Sequence, residues 1–152
     1  MSLIIIGGLG FIVWDDISKN KLNFKKYMLH TKIVLSTNII LIFGSAILFY
    51  IFENPNLYVG MDIKNKILAS LFSAVTPRTA GFNTLDTAAL TSSSKLLTIV
   101  LMFIGGSPGS TAGGVKTTTA AIAIYYVLSS ISGKSECNMF KRRVNDSIVK
   151  KA

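Results

Sequence analysis

Apolar residues along this chain are gathered into long blocks separated by short basic or glycine-rich stretches. The first block, Leu3 to Trp14, has twelve residues and would span about 18 Å as a helix, short of the roughly 30 Å hydrocarbon core. It reads either as a short hydrophobic N-terminus or, the reading adopted for 1–14, as the end of a preceding membrane helix. Residues 15–32 are polar. Ile33 to Phe52 is then twenty residues without a charge, or about 30 Å of helix, which predicts one membrane crossing over 33–52. Within it Ser36, Thr37, Asn38 and Ser45 are positioned to bond neighbouring helices or their own backbone.

A turn follows at Asn54-Pro55-Asn56. Asp62 can cap a helix, and Ile63, Ile67, Leu68, Leu71, Phe72 and Val75 recur at helical spacing. The residue before a proline avoids helical angles, so Thr76-Pro77 predicts that this helix covers 62–75. Its length, about 21 Å, is too short for a crossing. A short helix lying between membrane helices and ending in non-helical chain has the shape of a re-entrant pore helix. The last apolar block, Leu96 to Ile131, has thirty-six residues and one charge, Lys116. As one helix it would reach about 54 Å, so it must tilt or break. Gly105, Gly106, Gly109, Gly113 and Gly114 crowd around Pro108, and they place the break at 105–114, between arms Leu96–Ile104 and Val115–Ile131.

The fold class is therefore an all-α membrane protein: a helix, a re-entrant pore helix, a loop and a broken helix. Half of the 152 residues are hydrophobic and the mean hydropathy is +0.52, which fits lipid as the solvent. A net charge of +9 would suit nucleic acid if it formed one stripe, but the basic residues cluster between apolar blocks, so no nucleic-acid partner is expected. Five lysines lie in the eighteen residues 15–32, six basic residues in the twenty-one of 132–152, and only four in the forty-three from Glu53 to Lys95. Two crossings put the loop 15–32 and the tail 132–152 on one side, and the positive-inside rule makes that side cytoplasmic. The N-terminus lacks the basic region and cleavage site of a signal peptide. Cys137 stands alone, so no internal disulfide is expected. No Ser/His/Asp or Cys/His set suggests an enzyme. Asp15, Asp16 and Asp86 lack metal-ligand spacing, and His30 and Cys137 are read as incidental.

Helix, half-helix, loop and broken helix are the parts a cation pore needs. A dehydrating ion exchanges water for carbonyl oxygens of an extended loop, and the half-helix points its negative end at the ion. The segment 76–84, Thr76-Pro77-Arg78-Thr79-Ala80-Gly81-Phe82-Asn83-Thr84, stands where that loop belongs. Gly81 can take positive φ and leave a carbonyl facing the axis, with those of Thr79 and Ala80 below it. Arg78 is expected at the outer mouth, as an exposed interfacial charge or an electrostatic element. The glycine-rich stretch fails as a nucleotide-binding loop, because Val115 stands where the Walker pattern needs glycine before Lys116. It reads either as a break without a task or as a loop crossing a pore, with Lys116 as a costly intramembrane charge.

The run TPRTAGFNT followed by IGGSPGSTAGGVKTTT closely resembles the third of four pore units in the Ktr/Trk/HKT superfamily of potassium transporters, nearest the Ktr-type membrane subunits. The opening IIIGGLGFIVWDDI resembles the end of the second unit, and DSIVKKA the approach to the fourth. The resemblance implies a selectivity filter formed by Thr79, Ala80, Gly81, Phe82 and Asn83, with potassium at the carbonyls of Thr79, Ala80 and Gly81. It implies an intramembrane gating loop of Gly105, Gly106, Ser107, Pro108, Gly109, Ser110, Thr111, Ala112, Gly113 and Gly114, with Lys116 at its end. It further implies potassium uptake, with sodium coupling left open, and no cofactor. The implied partners are the bilayer, the remaining pore units of a longer subunit, a second copy of that subunit and a cytoplasmic nucleotide-binding ring, all at a multi-pass plasma-membrane protein. Since the family builds its pore from four units, this chain is expected to be part of a larger subunit. The alternative is a truncated, non-transporting membrane protein that associates with other membrane subunits.

Overall fold

The computed structural model describes residues 1–21, 23–82, 86–110, 113–131, 138–139 and 142–143. The described chain is helical. It runs α1 (Ser2–Gly8), α2 (Phe11–Asn20), α3 (Leu29–Glu53), α4 (Ile63–Thr79), α5 (Ser92–Phe103) and α6 (Thr117–Ile131), with single 3₁₀ turns at Phe24–Lys26 and Thr87–Ala89. A two-residue hairpin pairs Asn138–Met139 with Arg142–Arg143 in the tail. The rest of 132–152, Cys137 included, lies outside the described residues.

The uncharged block 33–52 sits inside α3, whose twenty-five residues give about 37 Å. It is the one described helix long and apolar enough to cross a membrane. α3 is the central post: α4, α5 and α6 pack along it, and α2 packs against it as well. One core joins Ala46 and Phe49 of α3 to Ala74 of α4 and Leu101 of α5, with Leu71 and Leu97 packed on it. A second joins Leu9 and Val13 to Val34, flanked by Ile17 and Leu35. Hydroxyls along the helices bond back to their own backbone: Ser36 to Lys32 O at 2.7 Å, Ser70 to Lys66 O at 2.8 Å and Thr98 to Ser94 O at 2.8 Å. Such bonding satisfies a polar group without water. The outward faces are apolar, with Ile40 69%, Ile47 60%, Ile99 66% and Phe103 68% exposed, surfaces suited to lipid or further helices.

At the C-terminal end of α3 the chain turns and is clasped. Glu53 is fully buried. Its carboxylate accepts from Thr91 N–H at 2.9 Å, Thr91 Oγ1 at 2.8 Å and Asn56 Nδ2 at 3.0 Å, and Asn56 Nδ2 also donates to Ala89 O at 2.9 Å. Thr91 in turn caps α5, accepting from Ser94 N–H. The chain therefore leaves the Glu53 end along α4 and is back at the same end by Thr91.

Two helices differ from their sequence expectations. α4 starts where expected, with Asp62 at the N-cap position although its side chain makes no capping bond, but it runs through Pro77 to Thr79 rather than stopping at residue 75. Unwinding at Thr76 would leave the next backbone N–H groups without intrahelical partners. Continuing lets Ala80 N–H and Gly81 N–H both reach Thr76 O, at 3.1 and 3.0 Å, and Gly81 at φ +67° closes the helix. The segment 1–14, expected as one helix, is split between α1 and α2 at Leu9–Gly10, where Gly10 takes φ +80°.

Candidate functional site

The broken helix expected over 96–131 is divided into α5, ending at Phe103, and α6, beginning at Thr117. The intervening loop is closed at its neck by a parallel bridge between Ile104 and Val115. Gly105 N–H donates to Val115 O at 3.0 Å, Val115 N–H to Phe103 O at 3.1 Å and Thr117 N–H to Gly106 O at 3.1 Å. The neck admits no side chain at residue 105, because a Cβ there would lie 1.6 Å from Gly113 O.

This break meets the other one. Ser107 N–H donates to Gly8 O at 3.0 Å, and Phe11 N–H donates to Gly109 O at 3.4 Å. The last carbonyl of α1 and the first N–H of α2, groups any helix end leaves without an intrahelical partner, are thus satisfied by the glycine-rich loop. A Cβ on Gly10 would fall 2.4 Å from Pro108 O. Small residues on both sides are what allow two backbones to approach so closely.

Side chains join the breaks to α3 and α4. Ser107 is fully buried, and its Oγ accepts from Asn38 Nδ2 at 3.2 Å and from Thr117 Oγ1 at 3.1 Å. Asn38 Oδ1 accepts from Arg78 Nη2 at 2.6 Å. A cavity of about 20 Å³ lies between Asn38, Arg78, Gly8 and Gly106, room for about one water. Arg78 was expected at the outer mouth, but the prolonged α4 carries it to the end of the helix far from Glu53, and its side chain turns inward to α3.

The expected filter residues are placed as follows. Thr79 is the last residue of α4, Ala80 is its cap with helical angles, and Gly81 is the left-handed turn out of the helix. Phe82 is exposed, and Asn83 lies outside the described residues, as does Thr84. The chain is therefore not extended until Gly81; the carbonyls of Thr79 and Ala80 still follow the helix. Of the expected gating loop, Gly105, Gly106 and Ser107 are buried, Pro108 to Ser110 form a turn with Ser110 N–H on Ser107 O at 3.1 Å, and Gly113 and Gly114 are exposed. Thr111 and Ala112 lie outside the described residues. Lys116 is half-buried, directly before α6. Asp16, read only as lacking metal-ligand spacing, accepts from Met28 N–H at 2.9 Å and Asn20 Nδ2 at 2.7 Å, and so fixes the turn into α3.

Sequence reasoning gave Asn38 only a general bonding role and did not single out Gly10 or Thr117. A sharper signal for Asn38 was available, because it is the one amide in the uncharged block 33–52. Gly7-Gly8-Leu9-Gly10 likewise signals a break.

The described chain is a helical unit with one helix long and apolar enough to cross a membrane and two breaks at glycine, each satisfied by the other. The comparison with known sequences sharpens this: the family TrkH, cation transport protein, matches residues 1–152, and the chain belongs to that family. It is 40% identical to the Ktr system potassium uptake protein B of Bacillus subtilis over 152 residues. It is 41% identical to the potassium/sodium uptake protein NtpJ of Enterococcus hirae over 152 residues, and 37% identical to the Ktr system potassium uptake protein B of Vibrio alginolyticus over 153 residues. In each case the match covers 99% of this chain and 34% of the relative, so the chain spans about a third of the length of these relatives. The family is one of transporters, not of enzymes.

Proposed function

We propose that this chain is one pore-forming unit of a potassium uptake subunit, with α4 as its re-entrant pore helix, the carbonyls from Thr79 to Gly81 as its share of the ion filter, and 105–114 as a gating loop below. The observation that carries the reading is the path of the chain between Glu53 and Thr91. It descends along α3 as α4, turns at Gly81, and returns to bond the carboxylate it started from. A helix that enters and leaves on one side can point its negative end at an ion without crossing the membrane. Full extension of 79–81 into a filter strand needs neighbouring strands, which the remaining pore units of a longer subunit supply; with the unit alone, helical angles satisfy the backbone.

The relatives' names favour potassium as the transported ion, with sodium as a second or coupled one, and no cofactor is required. By the same resemblance the complete subunit is multi-pass in the plasma membrane, pairs with a second copy and works with a cytoplasmic nucleotide-binding ring. The basic segments 15–32 and 132–152 then face the cytoplasm, and the Glu53 end faces outside.

The test places Gly81→Ser in the complete subunit and measures relative potassium and sodium uptake in cells lacking their own potassium uptake. Gly81 sits at φ +67° with open space where a Cβ would stand, so the substitution strains the backbone by about 1 kcal/mol without a clash. Weakened preference for potassium, with insertion intact, is the expected result. Unchanged relative uptake removes Gly81 from the filter. Orientation is tested separately: a cysteine at exposed Val59 reacts with an impermeant thiol reagent added outside, and labelling only from the inside reverses the topology. A non-transporting membrane protein, the alternative, gives no uptake in either variant.

A further inference from the structure

Asn38 stands on α3 where three elements meet, and its amide orientation is fixed by chemistry. A guanidinium only donates, so the oxygen faces Arg78 and the NH2 faces away from it. That NH2 donates to Val34 O at 2.8 Å and to Ser107 Oγ at 3.2 Å. Arg78, at the end of α4, thereby determines which group Asn38 offers to the glycine-rich loop. Ser107, between Gly8 and Thr117, is the point at which the loop is held from three sides.

We propose that Asn38 is a positioning residue that latches residues 105–110 of the glycine-rich loop in their seated position, oriented by Arg78 and acting on Ser107. The consequence for ion flux rests on the reading of that loop as the gate. The latch links the end of α4 to the loop through one shared amide. It consists of one charge-assisted bond on the Arg78 side and neutral bonds on the Ser107 side, and the neutral side is the weaker. The loop therefore releases at Ser107 while Arg78 keeps Asn38 in place.

The experiment uses the complete subunit in the membrane, with Thr118→Cys as reporter; Thr118 is buried in the first turn of α6, next to Thr117, which bonds Ser107. Two quantities are read, the rate of modification of that cysteine by a small thiol reagent and the cation flux. Ser107→Ala, which leaves the Arg78–Asn38 bond intact but removes both neutral bonds to Oγ, raises both by at least about fivefold, the scale of one such bond. Asn38→Leu also raises both, and the pair of substitutions adds little beyond Ser107→Ala. Asn38→Asp keeps the pair with Arg78 and accepts from the Ser107 hydroxyl but sets an acceptor against Val34 O, so modification and flux stay nearer the parent's than in Asn38→Leu. A purely structural role for Asn38 predicts equal damage in both variants, with flux lost. Unchanged modification in Ser107→Ala and Asn38→Leu overturns the latch, whatever loop shortening does to flux. Faster modification without increased flux supports the latch and instead overturns the assignment of the loop as gate.

Discussion

The two polar junctions of this unit, at Glu53 and at Asn38, each tie α3 to two other segments, yet they are made of different chemistry. At Glu53 a buried carboxylate gathers three donors within 3.0 Å, beside the N-terminus of α5, where the helix dipole favours negative charge. At Asn38 an amide and hydroxyls carry the links to the loop, supported by backbone bonds between two breaks. Hydrogen bonds to charged groups contribute about 1.5–3 kcal/mol each and neutral ones about 1. The first junction is therefore a fixed hinge pin and the second a releasable one. On the proposed reading α4 stays anchored while the loop below it moves, and the division of bond types matches that need.

Breaking the stronger junction gives the largest effect. Glu53→Ala strands Thr91 and Asn56 and should destabilise the unit by about 3 kcal/mol, read as a lowered melting temperature of the purified complete subunit and loss of protease resistance between α3 and α5. A variant that melts as the parent does would show that the clasp contributes little. Next comes the neck of the loop. Gly105→Ala cannot be accommodated without moving Gly113 O, and Gly10→Ala adds strain at φ +80° to a 2.4 Å approach to Pro108 O. Each should cost about 2 kcal/mol and speed thiol modification of a cysteine at buried position 118, with the α3–α5 connection still protease-resistant. Equal damage to both regions would mean the two junctions are not independent. The smallest effect is expected at Gly113→Ala, which meets open space and has no positive φ; stability should change by less than about 0.5 kcal/mol. A large effect there would show that the exposed side of the loop is covered in the complete subunit.

Much of this was legible in the sequence because it is local. A charge-free run of twenty residues specifies α3, and glycines around Pro108 specify where α5 ends, since both signals act within a turn or two of helix. The end of α4 was not legible for the opposite reason. Thr76-Pro77 is a local stop signal, and it was overridden by the backbone bonds that continuing the helix makes and by the stop that Gly81 offers a few residues later. The bond of Arg78 to Asn38 was not legible for the same reason, because the added residues of helix set the face of its side chain. The mating of the two breaks depends on residues far apart in sequence, Gly8 with Ser107 and Phe11 with Gly109, and periodicity holds no trace of such pairings. The proposed filter segment is the least legible part: Thr79 and Ala80 keep helical angles where an extended loop was expected.

The mutual satisfaction of the two breaks also constrains how such a protein is made. When the ribosome has delivered α1 and α2, the carbonyl of Gly8 and the N–H of Phe11 have no partner yet, because their partners belong to a loop still to be translated. Until the chain reaches Ser107 and Gly109, those two groups need water or another partner. On the proposed reading of a membrane-embedded unit, the seating of α1 and α2 is therefore completed only when the second break arrives.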